Sequence, residues 1–386
     1  MTEGGPAFAA HTADLARLSE RARRRTLSPQ TGIDFSSNDY LGLAGSPLLS
    51  DAARAALDRG VPIGSGGSRL LRGNHSEHEA LEAEAAAFFG CERALWFSSG
   101  FAANETLFST LPQRGDLVVH DELVHASAHE GMRIGRAETV AVAHNRADAF
   151  EGAIRRWRAG GGTGRAWLAV ESLYSMDGDV APLDDVMTIA DRHDAVLLID
   201  EAHATGVFGP EGRGLAAHLE GRGNVITLRT MGKALGCEGA LVCGPAVVAD
   251  FLVNRGRGFI FSTAPSPLIA AINRAALRLI RDLPELRDGL WRRIRLAEQV
   301  FAPLGATVSG SQILPLVVGD DALAMDLARQ VQAAGFDVRG IRPPTVPTGT
   351  SRLRITITNN AGEHDIAALG SLLAQLHEPA RCTATS

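Results

Sequence analysis

A chain of 386 residues that is 45% hydrophobic and 21% charged is long enough for more than one compact domain and too apolar to stay disordered. Its formal net charge of -6, with no basic run beyond Arg23, Arg24 and Arg25, excludes the electrostatic signature of a nucleic-acid or anionic-membrane binder and leaves small molecules as the expected partners. Cys91, Cys237, Cys243 and Cys382 form no CxxC pair, which argues against a disulfide framework and a zinc site.

The N-terminal stretch mixes Glu3, Asp14 and Glu20 with arginines, the wrong pattern for a secretory signal. Up to Arg25 it reads as an amphipathic helix, closed by Ser28-Pro29. From Ala52 onward short apolar runs alternate with helical patterns. Leu95–Phe97, Leu117–Val119, Thr139–Val142, Trp167–Val170, Val196–Ile199, Val225–Leu228 and Ala240–Val242 are expected strands, in the βαβ rhythm of a largely parallel, buried sheet. Gly160–Gly164 reads as a surface loop. The last third changes character: a long helical pattern over Pro267–Arg281 leads through Leu290 to Phe301, followed by strands at Ile313–Val318 and Leu353–Ile357. The expectation is an N-terminal helical segment over 1–45, a large α/β domain over 46–283 and a smaller α+β domain over 284–386. No apolar run approaches the roughly 20 residues that span a bilayer, and a cytoplasmic location is expected.

Ligands of open α/β sheets bind beyond the carboxyl ends of the strands, so the polar residues that follow each run are the candidates. Asp200-Glu201-Ala202-His203 follows Val196–Ile199, and Thr230-Met231-Gly232-Lys233 follows Val225–Leu228. Ser98-Ser99-Gly100-Phe101 follows Leu95–Phe97, while Glu171 and then Ser175 follow Trp167–Val170. Lys233 is the only lysine of the chain, every other one of the 38 basic residues being arginine. A lysine amine condenses with a carbonyl only when unprotonated, and small apolar flanks such as Met231, Gly232 and Ala234 favour that state. The alternative is an ordinary surface lysine. Asp200 can serve the ring nitrogen of a pyridoxal cofactor, or else an N-cap or a metal, although no third ligand stands near it and His203. Ser99, Gly100 and Phe101 open a helical pattern whose free amides suit a phosphate. His125 can cover one face of an aromatic ring or be merely structural. No G-x-G-x-x-G fingerprint follows a strand, which removes the main support for a nicotinamide enzyme.

In this order the motifs Phe35–Leu43, Gly64–Ser68, Ser99–Asn104, His125–Ser127, Ser175–Asp179, Asp200–His203, Thr230–Lys233 and Arg342–Pro347 resemble the α-oxoamine synthases over nearly the whole chain. The resemblance implies a fold-type I, aspartate aminotransferase-like architecture, pyridoxal 5'-phosphate (PLP) as cofactor, no metal, and a homodimer with shared active sites. It implies Lys233 as the Schiff-base lysine, Asp200 at the ring nitrogen, His125 stacked on the ring, and Ser175 and His203 near the phenolic oxygen. Ser99, Gly100, Phe101 and Thr230 would hold the phosphate, joined by Ser262 or Thr263 from the other subunit. Arg354 would bind the amino-acid carboxylate, with Arg23, Asn38 and Thr345 facing the substrates. The implied activity is decarboxylative condensation of L-alanine with a pimeloyl thioester, on coenzyme A or a carrier protein, as in the biotin branch of the family. Relatives with the same set use glycine, serine or other acyl groups. Arg69–His75 and Ala204 depart from the family's usual pattern.

Overall fold

The computed structural model describes residues 6–383 apart from Ala22 and Ser28; the side chain of Cys382 lies outside the described part. The chain divides into two compact units, one of Asn38–Ser175 and Asp179–Gly289, the other of Met1–Ser37, Met176–Gly178 and Leu290–Ser386.

The larger unit is built on a seven-stranded sheet: β1 (Arg93–Phe97), β2 (Leu117–Asp121), β3 (Glu138–Val142), β4 (Ala166–Glu171), β5 (Val196–Asp200), β6 (Val225–Thr230) and β7 (Ala240–Gly244), in the order β1-β7-β6-β5-β4-β2-β3. Only β7 is antiparallel to its neighbours, β1 and β6, so the other six strands run one way and end on one edge. Each apolar run read from the sequence forms its strand, lengthened by a residue or two at one or both ends. Most of the runs are apolar because both faces are covered, the exception being the edge strand β3, where Thr139 and Ala141 are exposed. Leu117, Val119, Leu168, Val170, Leu197 and Ile199 pack with Phe150, Ile154, Val186 and Ile189 of the helices Ala147–Ala159 and Leu183–Arg192. The alternate residues Val118, Ala169, Leu198, Ile226 and Leu228 pack with Leu107, Phe108, Ala128 and Met132 of the helices Gly100–Thr110 and Ala126–Ile134. Period-two alternation thus feeds two cores, and each fully buried Leu, Ile or Val contributes about 1.5–3 kcal/mol. Gly164, expected in a surface loop, approaches Gly115 so closely that a Cβ would lie 2.1 Å from its carbonyl oxygen.

In the smaller unit Ser351–Thr356 is flanked by Arg339–Ile341 and Ile313–Gly319 in an antiparallel sheet. The short strand Ile33–Asp34 pairs in parallel with Phe336–Asp337. That pairing needs Gly32, whose φ of 84° and 2.6 Å approach of a would-be Cβ to Gly335 O exclude a side chain. It is also why residues up to Ser37 cluster with the C-terminal third, where the sequence pattern suggests a separate segment to 45. The N-terminal helix spans Ala9–Glu20 and stops short of Arg25; it buries no residue, so no packing supports its extension.

Candidate active site

The carboxyl edge of the large sheet opens into a cavity of about 180 Å³ lined by residues that leave several strands, among them Gly100, Asn104, His125, Glu171, Asp200, His203, Thr230 and Lys233. Lys233 sits in the turn after β6, closed by Gly236 N–H donating to Lys233 O at 2.9 Å. Gly236 lets this turn press on the chain at Ala44, where a Cβ would come within 2.4 Å of the Ala44 nitrogen.

Two hydrogen-bonded chains converge on the cavity. In the first, Lys233 Nζ lies 2.7 Å from His203 Nε2, His203 Nδ1 lies 2.5 Å from the Tyr40 hydroxyl, and Tyr40 donates to Asn38 Oδ1 at 3.0 Å. Because the Tyr40 hydrogen goes to Asn38, the hydrogen between Tyr40 and His203 belongs to Nδ1, and Nε2 accepts from Lys233. In the second, Asn104 Nδ2 donates to Asp200 Oδ2 at 2.8 Å and to Ser127 Oγ at 3.0 Å, and Ser127 Oγ lies 2.7 Å from His125 Nδ1. His125 Nδ1 also accepts from Ser127 N–H at 3.2 Å, as N-cap of the helix Ala126–Ile134, so its proton sits on Nε2. Burial lowers the pKa of His125, the Asp200 charge opposes this, and Lys233 adds to it; the net shift is downward and the ring is neutral.

Asp200 accepts a further hydrogen bond from Ala202 N–H at 2.9 Å. Its cross-strand partner is Glu171, 3% exposed, with one carboxyl oxygen buried and lacking a hydrogen-bond partner among the described residues. Burial, and after it the Asp200 charge, push Glu171 well above the ordinary carboxylate range, while Lys233 opposes them. At the far wall, Ser99 caps the helix Gly100–Thr110 through Ala102 N–H at 3.1 Å. An added Cβ at Gly100 would meet only Thr230 Oγ1, at 4.0 Å, so there is open space beside the first turn of this helix.

The structure therefore brings together Lys233, His203, Asp200, His125, Gly100, Phe101 and Thr230 in the cavity wall, with Asn38 behind it. Ser99 is occupied as a cap, and Ser175 lies in the loop after β4, outside the lining. Ser262 and Thr263 are exposed and line a separate small cavity with Arg69 and Ser98. Arg23, Thr345 and Arg354 belong to the smaller unit. There Arg23 pairs with Asp321 at 2.9 Å, Thr345 accepts from Arg25 at 3.2 Å, and Arg354 donates to Thr356 Oγ1 at 2.8 Å. Tyr40, Asn104 and Ser127 are site residues that the sequence alone does not single out, whereas Glu171 is among the candidates that follow the strands. The three stand inside the family motifs, but the site partners that give them a role lie 23 to 163 residues away.

The profile of the class I and II aminotransferases matches residues 30–369, and the chain belongs to that family. Within it, the chain is 42% identical over 346 residues to the 8-amino-7-oxononanoate synthase of Geobacter sulfurreducens, covering 88% of this chain and 87% of that protein. Among solved structures it resembles the serine palmitoyltransferase of S. paucimobilis with a bound PLP–myriocin aldimine, with a TM-score of 0.86, 26% identity, and 98% and 99% of the two chains covered. It also resembles the 8-amino-7-oxononanoate synthase of Francisella tularensis, with a TM-score of 0.77, 25% identity, and 91% and 99% covered.

Proposed function

We propose that this chain is a cytoplasmic, PLP-dependent acyltransferase that condenses L-alanine with a pimeloyl thioester, releasing CO2 and the free thiol and yielding 8-amino-7-oxononanoate for biotin biosynthesis. The observation that carries the reading is the chain's only lysine, 2.7 Å from His203 in a cavity that also holds Asp200, His125 and the first residues of a helix, Gly100 and Phe101. The likeness to 8-amino-7-oxononanoate synthases supports the substrates.

The residues fit PLP. Gly100, Phe101 and Thr230 would hold its phosphate, Asp200 its ring nitrogen, His125 its face and Lys233 its aldehyde carbon, and the cavity of about 180 Å³ gives room. When bound, PLP withdraws the electron pair left on the α-carbon of the amino acid as its proton departs. Lys233 is the base for that proton. His203 Nε2 is oriented to accept from Lys233, because Tyr40 and Asn38 hold its other nitrogen as a donor. Neutral His125 adds no positive charge over the ring, and Asp200 is held by Asn104 and Ala202. Arg354 binds the carboxylate of alanine, and Arg23, Asn38 and Thr345 face the substrates. The deprotonated α-carbon displaces the thiol, and the β-keto acid so formed loses CO2.

A homodimer completes the site, a second copy contributing Ser262 or Thr263 to the phosphate. Supporting this, Phe261, next to Ser262 in the chain, is 71% exposed in the single chain.

The test is mass spectrometry of products after incubation with PLP, pimeloyl-CoA and L-alanine, glycine or L-serine, with Lys233→Ala as control. Product from alanine, absent in the control, is expected, with turnover lowered at least about 10³-fold by the substitution. Product from glycine or serine in its place would move the chain to another branch of the family, and a preparation that never binds PLP would refute the reading.

A further inference from the structure

Away from the cavity wall, His144 lies between two carboxylates. Its Nδ1 is 2.9 Å from Asp121 Oδ1 and its Nε2 is 2.7 Å from Asp179 Oδ2. Carboxylates only accept, so both ring nitrogens carry hydrogen and the imidazole is a cation. Burial would lower its pKa, but the hydrogen bonds and charges of Asp121 and Asp179 outweigh this and raise it to about 10. Asp121, 1% exposed at its side chain, is held below its usual range: burial opposes, while His144 and the amides of Asn145 and Leu123 prevail.

What these residues tie together matters more than their charge. Asp121 ends β2, and its carboxylate accepts Leu123 N–H at 2.8 Å, shaping the turn that delivers His125 to the head of its helix. The same carboxylate accepts Asn145 N–H at 2.8 Å, fixing the turn after β3, where Asn145 adopts a φ of 54°. Asp179 closes the loop after β4, its carbonyl accepting Tyr174 N–H at 3.0 Å, and this loop contains Ser175. Asn145 Nδ2 donates to Asp179 Oδ2 at 2.6 Å, and the Tyr174 ring packs edge-on against His144 at 4.5 Å. His144 N–H is taken by Glu122 Oε1 at 3.0 Å.

We propose that His144, bonded at both ring nitrogens to Asp121 and Asp179, is a positioning residue that locks the turn presenting His125 to the loop carrying Ser175. It touches neither substrate nor cofactor. A site whose groups must be held within fractions of an ångström depends on such a clamp for cofactor binding and turnover as well as for stability. The consequence for PLP rests on the functional reading above, whereas the ordering of the two loops does not.

The experiment uses the full chain with His144→Gln, an uncharged side chain that retains one donor and one acceptor. Hydrogen exchange followed by mass spectrometry, without cofactor, is expected to show about tenfold faster exchange in both 121–131 and 172–181. With PLP, the cofactor's dissociation constant rises and kcat falls by about tenfold or more each, its visible circular dichroism weakens, and the KM for the amino acid changes less than kcat. A lowered melting temperature with exchange confined to residues around 144, and with PLP affinity, dichroism and kcat unchanged, overturns the proposal. If His144→Gln does not fold, Asp179→Asn decides by the same readouts, since it keeps the size of a side chain that is 36% exposed and takes away only its charge. Should the native chain bind no PLP, the functional reading fails and the exchange of the two loops still decides the role of His144.

Discussion

Two pairs of consecutive residues part company at the ends of β5 and β6. Asp200 and Thr230 face the cavity, while Glu201 and Arg229 point to the other side of the sheet. There the Arg229 guanidinium bonds Glu220 and the Arg213 carbonyl, lies 3.4 Å from Glu201 Oε2 and sits 4.1 Å from the centroid of Phe89. Glu201 Oε1 accepts Ala216 N–H at 3.0 Å, and even a Cβ on Gly214 would strike its other oxygen, at 1.5 Å. One face is packed shut around its charges; the other leaves about 180 Å³ beside them. Strand alternation thus assigns neighbouring carboxylates to opposite tasks, stability below and chemistry above.

The sharpest way to break this comparison is to neutralise the two neighbours in turn. Asp200→Asn is expected to lower kcat/KM by about 10²-fold or more while changing the unfolding free energy by less than about 1 kcal/mol. Glu201→Gln should do the reverse, costing about 1–3 kcal/mol in urea unfolding because it weakens a buried ion pair, and leaving kcat within about twofold. Equal effects of the two on activity would abolish the distinction.

The His144 clamp tests whether an ion cluster open to solvent only at Asp179 and His144 behaves like the closed one. Its folded pKa of about 10 lies above the unfolded histidine value, so its stabilisation is full below about pH 6.5 and is lost as pH rises toward 10. The stability gap between the native chain and His144→Gln, about 1–3 kcal/mol at pH 6, should therefore close by pH 10. A gap that persists there would show that packing against Tyr174, not charge, makes the contact. The Arg229 cluster should show no such alkaline loss, since arginine keeps its proton.

The smallest effect is expected at Glu171. Burial beside Asp200 raises its pKa and favours the uncharged form, which the amide mimics, so Glu171→Gln should alter stability by less than about 1 kcal/mol at pH 5. A raised folded pKa means that the native chain loses stability as pH climbs above the unfolded carboxylate value. The balance should accordingly shift toward Glu171→Gln between pH 5 and pH 8, as read from chemical unfolding at each pH.

The strands and the residues that end them were legible because buried parallel strands are unbroken apolar runs, and the chain must turn polar where it leaves the sheet. Lys233, Asp200 and His203 stand at such exits. Tyr40 and His144 were not legible as parts of the site: each sits in irregular chain, and its importance lies in partners, His203 for one, Asp121 and Asp179 for the other, that only the fold supplies. Arg23 shows the opposite limit. As a letter it is a free cation on an expected helix, yet the helix ends at Glu20 and Asp321 already answers its charge.

Arginine everywhere else leaves the protein with a single ε-amine, and that amine lines the cavity. Carbonyl compounds therefore have no surface lysine on which to form stray adducts, and borohydride trapping or acylation of lysine would label one position in the whole chain. A protease that cuts after lysine would cleave at one place only, and a blocked Lys233 would leave the polypeptide intact, so an ordinary gel could report how fully the site is loaded.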